Sequence, residues 1–254
     1  MTPKLAILDM DGTLFRGQEV IAGAPEAVAT LRHNGVIVRY VTNNASQTIG
    51  TYAAKLRGMG FEAHDEAVIS SSLGAARMLS EEGLKLVFPV GEPGMIETLE
   101  RGGLSIVGPG EQAEAVVAGI CLSLSYALID RALQHLLEGA RFVATNTDAT
   151  YPLEGGRLAP GAGATVGAIR ACAGREPEVV GKPEPYLIEM ILRETGVAPS
   201  EALVIGDRLE TDIEAGRRAG CETLLVLSGV SDVAPLGQPY ARDLSAWVST
   251  AFTR

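Results

Sequence analysis

The chain has 254 residues, 46% hydrophobic and 20% charged, and 21 Lys+Arg against 31 Asp+Glu give a net charge of −10. That apolar content excludes a disordered chain, and the length suits one or two domains of about 100–200 residues each. The acidic balance, with no basic run, argues against holding nucleic acid by neutralising its phosphates. No stretch approaches the ~20 apolar residues that span a bilayer. Cys121, Cys172 and Cys221 are far apart and form no CxxC pair. Neither a zinc site nor a disulfide framework is supported, and a reducing, cytoplasmic setting is expected.

In chain order, Leu5–Leu8 reads as a strand and Pro25–His33 as a helix, with Gly35 just past its end. Val36–Val41 is a second strand, and Gln47–Met59 carries Ile49, Tyr52, Ala53 and Leu56 at helical spacing. The texture changes from about Leu73 to Pro177, with Gly-Pro punctuation at Gly91-Glu92-Pro93-Gly94 and Gly108-Pro109-Gly110. The first pattern then resumes. Val179-Val180 reads as a strand and Pro185–Thr195 as a helix ended by Gly196. Ala202–Ile205 is a strand, Asp212–Ala219 a helix closed by Gly220, and Thr223–Leu227 another strand. Apolar strands alternating with helices imply an α/β fold with a Rossmann-like, doubly wound parallel sheet. Residues 1–72 and 178–254 are expected to form a core domain and 73–177 an inserted one.

Such sheets bind ligands beyond the carboxyl ends of their strands, so the residue after each apolar run matters most. Leu5–Leu8 is followed by Asp9, and Val36–Val41 by Thr42-Asn43-Asn44. Val179-Val180 leads to Gly181-Lys182, and Ala202–Ile205 to Gly206-Asp207. Four strands would deliver two carboxylates, a hydroxyl-amide cluster and a lysine to one rim. Lysine is rare here, the others being Lys4, Lys55 and Lys85.

Asp9-Met10-Asp11-Gly12-Thr13 sets two carboxylates two positions apart where a strand ends. Period-2 geometry can aim both at one pocket, and Gly12 permits the sharp turn that follows. One carboxylate can attack phosphorus; the other can protonate the leaving oxygen and then take a proton from water. A carboxylate attacking an anionic phosphate needs its charge offset, which magnesium does through oxygen ligands. Asp207 adds a carboxylate, Lys182 a point charge, and Thr42 with the adjacent amides adds donors. Taken singly, each has a plainer reading: a turn, a helix cap or a solvated lysine. Their conjunction outweighs those readings.

Asp9-Met10-Asp11-Gly12-Thr13, Thr42-Asn43-Asn44, Gly181-Lys182-Pro183 and Gly206-Asp207-Arg208-Leu209-Glu210-Thr211-Asp212 together resemble the four motifs of the haloacid dehalogenase (HAD) superfamily. The long insertion after the second motif resembles a type 2 (C2a) cap. Over essentially the whole chain, the resemblance is to the branch of NagD, p-nitrophenylphosphatase, and the phosphoglycolate and pyridoxal phosphate phosphatases. It implies a HAD core with an inserted α/β cap and a Mg2+-dependent phosphomonoesterase working through an aspartyl-phosphate. The implied substrates are small phosphorylated metabolites of the sugar phosphate, nucleoside monophosphate or p-nitrophenyl phosphate type. Asp9 would be the nucleophile and a metal ligand, Asp11 the general acid/base with its carbonyl on the metal, and Asp207 the third ligand. Thr42, Asn43, Asn44 and Lys182 would hold the phosphoryl group, and Asp212 would position metal-bound water or Lys182. A homodimer through the cap is a further implication. The alternative from another class is a phosphate-binding or regulatory module without turnover, which the complete catalytic set disfavours.

The segment from Ala144 to Leu153 resembles the stretch carrying the cap's specificity loop, which makes Tyr151 and Asp148 candidates for facing the leaving group. Cap packing for Tyr151 and a turn role for Asp148 account for them equally well. Gly161-Ala162-Gly163 with Gly167 has GxGxxxG spacing and no clear strand before it, so a dinucleotide loop is not supported. His33, His64 and His135 are scattered and read as surface or packing residues.

Overall fold

Alternation of buried strands with helices produces two parallel sheets in the computed structural model, which describes residues 2–152 and 157–252. The chain divides into two compact units. One holds the residues up to Thr42, Gly50–Ile69 and those from Lys182 onward; the other holds Asn43–Ile49 and Ser70–Gly181.

The chain begins with β1 (Leu5–Asp9), the short strands β2 (Phe15–Arg16) and β3 (Glu19–Val20), α1 (Ala24–His33), β4 (Ile37–Thr42), α2 (Ile49–Gly58) and β5 (Val68–Ser70). It continues through α3 (Ser71–Glu81), β6 (Leu86–Val90), α4 (Pro93–Arg101), β7 (Ser105–Ile106), β8 (Ala115–Ala118), α5 (Tyr126–Leu137) and β9 (Arg141–Ala144). There follow β10 (Thr150–Pro152), β11 (Leu158–Pro160), α6 (Ala162–Ala173), β12 (Glu178–Val179) and α7 (Tyr186–Thr195). The last elements are β13 (Ala202–Gly206), α8 (Glu214–Arg218), β14 (Glu222–Val226), β15 (Tyr240–Ala241) and α9 (Leu244–Phe252). No helix among the described residues is long and apolar enough to cross a membrane.

The six-stranded sheet has the order β15-β14-β13-β1-β4-β5. Its central strand β1 pairs in parallel with β13 on one side and β4 on the other, Leu8 opposite Ile205 and Tyr40. Leu5, Ala6, Ile7 and Leu8 are all buried without alternation, because a parallel sheet is covered on both faces. Each such Leu or Ile contributes about 1.5–3 kcal/mol by leaving water. The pairing brings the carboxyl ends of β1, β4 and β13 side by side, with Asp9 opposite Val41 and one step from Thr42.

The second unit carries a five-stranded sheet in the order β12-β9-β8-β6-β7, which forms an inserted cap domain. Phe88, Val116, Leu136, Phe142, Val166 and Ile169 pack in its core. Ser70 and Ser125 start α3 and α5 by accepting the Leu73 and Leu128 N–H groups, each at 3.2 Å.

Two expectations are corrected. Val179-Val180 was expected to join the sheet that holds β1. Instead β12 pairs with β9 of the other sheet, Glu178 opposite Val143, and the first unit resumes only at Lys182. Two apolar residues fit either sheet; the open edge of β9 decides, helped by an ion pair from Arg141 on β9 to Glu178. The helix expected from Asp212 starts earlier, as a wide turn over Leu209–Ile213 in which the Ile213 N–H reaches the Arg208 carbonyl at 3.2 Å. The Asp212 carboxylate accepts the Arg208 N–H at 3.1 Å, so this residue caps the turn from within.

Candidate active site

Asp9 ends β1 and Asp207 follows β13, while Lys182 is the first residue of the returning chain. Lys182 is buried, and its Nζ donates to Asp9 Oδ1 and to Asp212 Oδ1, both at 2.5 Å. Asp207 Oδ2 accepts the Val230 N–H at 2.6 Å. Asp9, Asp207 and Asp212 each offer an oxygen, and these atoms lie within 4.8 Å of one another.

Close approach here depends on missing side chains. Gly12 has φ +86°, and a methyl group on it or on Gly229 would collide with the Asp207 carboxylate. Ser228 Oγ donates to the Gly12 carbonyl at 2.7 Å, tying the turn after β1 to the end of β14.

The electrostatics are those of a site short of positive charge. Burial raises the Asp9 carboxyl well above the usual carboxylate range; the Lys182 charge opposes this, and the Asp212 and Asp207 charges add to it. Burial, reinforced by Asp212, pushes Asp207 up to about 6 against the Val230 hydrogen bond. Burial alone would lower Lys182, yet Asp212 and Asp9 outweigh it and hold the ammonium firmly protonated. Three acidic side chains facing one cation leave an excess of buried negative charge. A hard divalent cation with oxygen ligands offsets that excess, so the donor set fits such an ion. The geometric cluster contains Asp212, which the sequence assigns to a supporting position, alongside Asp9 and Asp207.

Asp11 keeps an exposed edge, and burial of its remaining surroundings raises its carboxyl while Lys55 is the cation that most opposes the rise. Thr42 is buried at the carboxyl end of β4. Asn43 and Asn44 fall in the other unit. There the Asn43 carbonyl accepts Ser71 Oγ at 2.6 Å and Asn146 Nδ2 at 2.7 Å, and Asn43 Nδ2 donates to Asp148 Oδ2 at 3.2 Å. Asn44 Oδ1 accepts the Ser46 N–H at 3.0 Å, an Asx turn. Tyr151 is half-buried on β10, opposite Ala159 of the antiparallel strand β11. Leu153, at the end of the expected specificity segment, lies outside the described residues.

Sequence reasoning missed Ser228, Gly229 and Lys55. The first two follow the run Thr223–Leu227, so the rule of looking past each strand end would have found them. Lys55 gives no such signal, since it sits on a helix.

Residues 6–105 match the haloacid dehalogenase-like hydrolase family, and residues 179–248 match a HAD-hydrolase-like family. Over 231 residues the chain is 38% identical to the 5'-nucleotidase YutF of Bacillus subtilis, covering 91% of this chain and 89% of that protein. The chain belongs to the haloacid dehalogenase-like hydrolases. Within that family it falls in the branch of NagD, the p-nitrophenyl phosphatases, the phosphoglycolate phosphatases and chronophin. The p-nitrophenyl phosphatase from Archaeoglobus fulgidus has the same fold with a TM-score of 0.91 at 31% identity, covering 98% of this chain and 100% of that one. A glycerol phosphate phosphatase from Mycobacterium tuberculosis, solved in complex with magnesium, gives a TM-score of 0.87 at 33% identity and covers 96% and 76%.

Proposed function

We propose that this phosphatase hydrolyses small phosphorylated metabolites through an aspartyl-phosphate on Asp9, with Asp11 as general acid and base. The observation that carries the reading is the Lys182 ammonium, 2.5 Å from Asp9 and Asp212 beside the Asp207 carboxylate. A buried carboxylate held by a cation, among further acids, is arranged to meet a phosphate.

Asp9 attacks phosphorus as the ester P–O bond breaks, and the departing oxygen takes the Asp11 carboxyl proton. The resulting Asp11 carboxylate then removes a proton from water, whose oxygen attacks phosphorus. The Asp9–phosphorus bond breaks, releasing inorganic phosphate and the free carboxylate. Lys182 holds Asp9 in place and meets the phosphate oxygens, with Thr42, Asn43 and Asn44 as further donors. Asp9, Asp207 and the Asp11 carbonyl, with Asp212 beside them, would hold magnesium, which would supply the positive charge that offsets repulsion between carboxylate and phosphate.

Relatives named for nucleotides and glycerol phosphate support a sugar phosphate, polyol phosphate or nucleoside monophosphate as substrate. Tyr151 and Asp148 are proposed to select the leaving group. A homodimer through the second unit is also proposed, supported by exposed Leu122, Tyr126 and Leu137; monomers in light scattering would refute it.

Phosphate release from p-nitrophenyl phosphate, with magnesium and with EDTA, tests the central reading. Metal-dependent release by the wild type, reduced at least ~1,000-fold in Asp9→Asn, is expected. Equal release with and without metal, or by both proteins, would overturn it.

A further inference from the structure

We infer that residues 228–231, the segment after β14, position the oxygens that would hold magnesium, and that this fixed geometry raises the affinity of the acidic cluster for Mg2+ relative to Ca2+. The inference rests on the reading of that cluster as a magnesium site. Asp207 is buried and held from several sides. Its Oδ2 accepts the Val230 N–H at 2.6 Å, and its main-chain carbonyl accepts the Ser231 N–H at 3.2 Å. Gly12 and Gly229 close on the same carboxylate so tightly that a methyl group on either would overlap Oδ2. Oδ2 is therefore committed to this segment, and Oδ1 is the oxygen left for a cation.

The same segment reaches the turn that carries Asp11. Ser228 is buried and donates its Oγ to the Gly12 carbonyl at 2.7 Å. The Gly12 N–H, which shares a peptide plane with the Asp11 carbonyl, donates to the Phe15 carbonyl at 2.7 Å. These bonds lie on either side of the Gly12 Cα, and peptide planarity turns them into a fixed direction for the Asp11 carbonyl. Arg16 completes the arrangement. It is exposed on β2, outside the acidic cluster, and its Nε donates to the Ser228 carbonyl at 2.7 Å. The Asp207 and Asp11 oxygens are thus set by one segment and its anchor. A segment that only stabilised the end of β14 would behave differently: loosening it would lower the melting temperature and leave the relative affinities of two ions alone.

Ion chemistry separates the two roles. Mg2+ demands a near-ideal octahedron of oxygens, whereas Ca2+ accepts more ligands, at longer distances and in looser arrangements. A displaced oxygen therefore costs Mg2+ more. The experiment titrates metal-free protein, without substrate, with MgCl2 or CaCl2 in a calorimeter, at a temperature where every variant is folded. Ser228→Ala is expected to weaken Mg2+ binding about tenfold and Ca2+ binding about twofold, so that the ratio of the two affinities shifts about fivefold toward Ca2+. Arg16→Met should shift it the same way by about threefold, and Arg16→Lys, which keeps a donor, should stay near wild type. A ratio that Ser228→Ala leaves unchanged or shifts toward Mg2+ overturns the inference, whether both affinities fall together or neither moves. If Ser228→Ala does not fold, the exposed change Arg16→Met is read by the same ratio. A wild type that binds neither ion overturns the magnesium-site reading and this inference with it.

Discussion

Both units are parallel α/β sheets with polar residues beyond their strand ends, yet they fill those ends differently. In the first unit the carboxyl ends of β1 and β13 carry Asp9 and Asp207, drawn together with Lys182 and Asp212. In the second, the end of β9 leads into Thr145 and Asn146, and Asn146, Ser71 and Asn43 join in a largely neutral network. A neutral hydrogen bond adds about 1 kcal/mol to stability, whereas buried like charges oppose folding unless something offsets them. The same architecture thus serves chemistry at one rim and cohesion at the other. Fold class does not distinguish them; charge does.

The largest expected effect is at the charged rim. Lys182→Met should lower kcat by about 100–1,000-fold in steady-state phosphate release, as loss of a preorganised charge does elsewhere. A loss below tenfold would mean that the rim does not depend on this cation. Next comes Asp207. Its carboxyl sits at about 6 in the fold against 3.8 unfolded, so the unfolded chain releases its proton first as pH rises. Metal-free protein should therefore lose stability between about pH 4 and pH 6 and carry a constant penalty of up to about 3 kcal/mol above that. Asp9, raised in the same direction, adds to the trend. In EDTA, Asp207→Asn should be more stable than wild type at pH 7 and nearly equal at pH 4. Urea unfolding at both pH values checks the sign, and a wild type that gains stability over this range would contradict it.

What the sequence made legible follows the same division. Asp9, Asp207 and Lys182 stood out because each is a polar residue ending an apolar run, and because lysine is scarce. The ends of β1 and β13 adjoin in one parallel sheet, so the meeting of Asp9 and Asp207 could be foreseen, whereas Lys182 follows a strand of the other sheet and joins them for a different reason. The membership of β12 could not be foreseen, because two apolar residues carry no register; the free edge of β9 and Arg141 decide it. Asn43 and Asn44 follow β4 in the chain, yet the hydrogen bonds of Asn43 run to Ser71, Asn146 and Asp148, partners distant in sequence. Lys55 was invisible for a related reason, since its neighbour Phe15 is brought to it only by folding.

The neutral rim should respond in its own way. Asn146→Ala removes the donor to the Asn43 carbonyl and the acceptor for the Asp148 N–H, at 2.7 and 3.1 Å, and should cost about 1–3 kcal/mol. That loss should be the same at pH 5 and pH 8 in thermal unfolding, because none of the lost partners titrates there. A pH-dependent loss would show that the second unit also relies on charge.

The smallest effect resolves the two units within one molecule. Cys172 is exposed, while Cys121 in the second unit and Cys221 in the first are buried, and burial pushes the Cys221 thiol up to about 11. Native protein should label quickly at Cys172 alone, and the two buried thiols should react only through local opening. A divalent metal that binds the carboxylate cluster stabilises the unit that holds it. At ten times its Kd, magnesium should slow Cys221 labelling about tenfold and leave Cys121 nearly unchanged. Equal protection of both thiols, read by mass spectrometry of labelled peptides, would mean that the units open together and that the charged rim stabilises the whole chain.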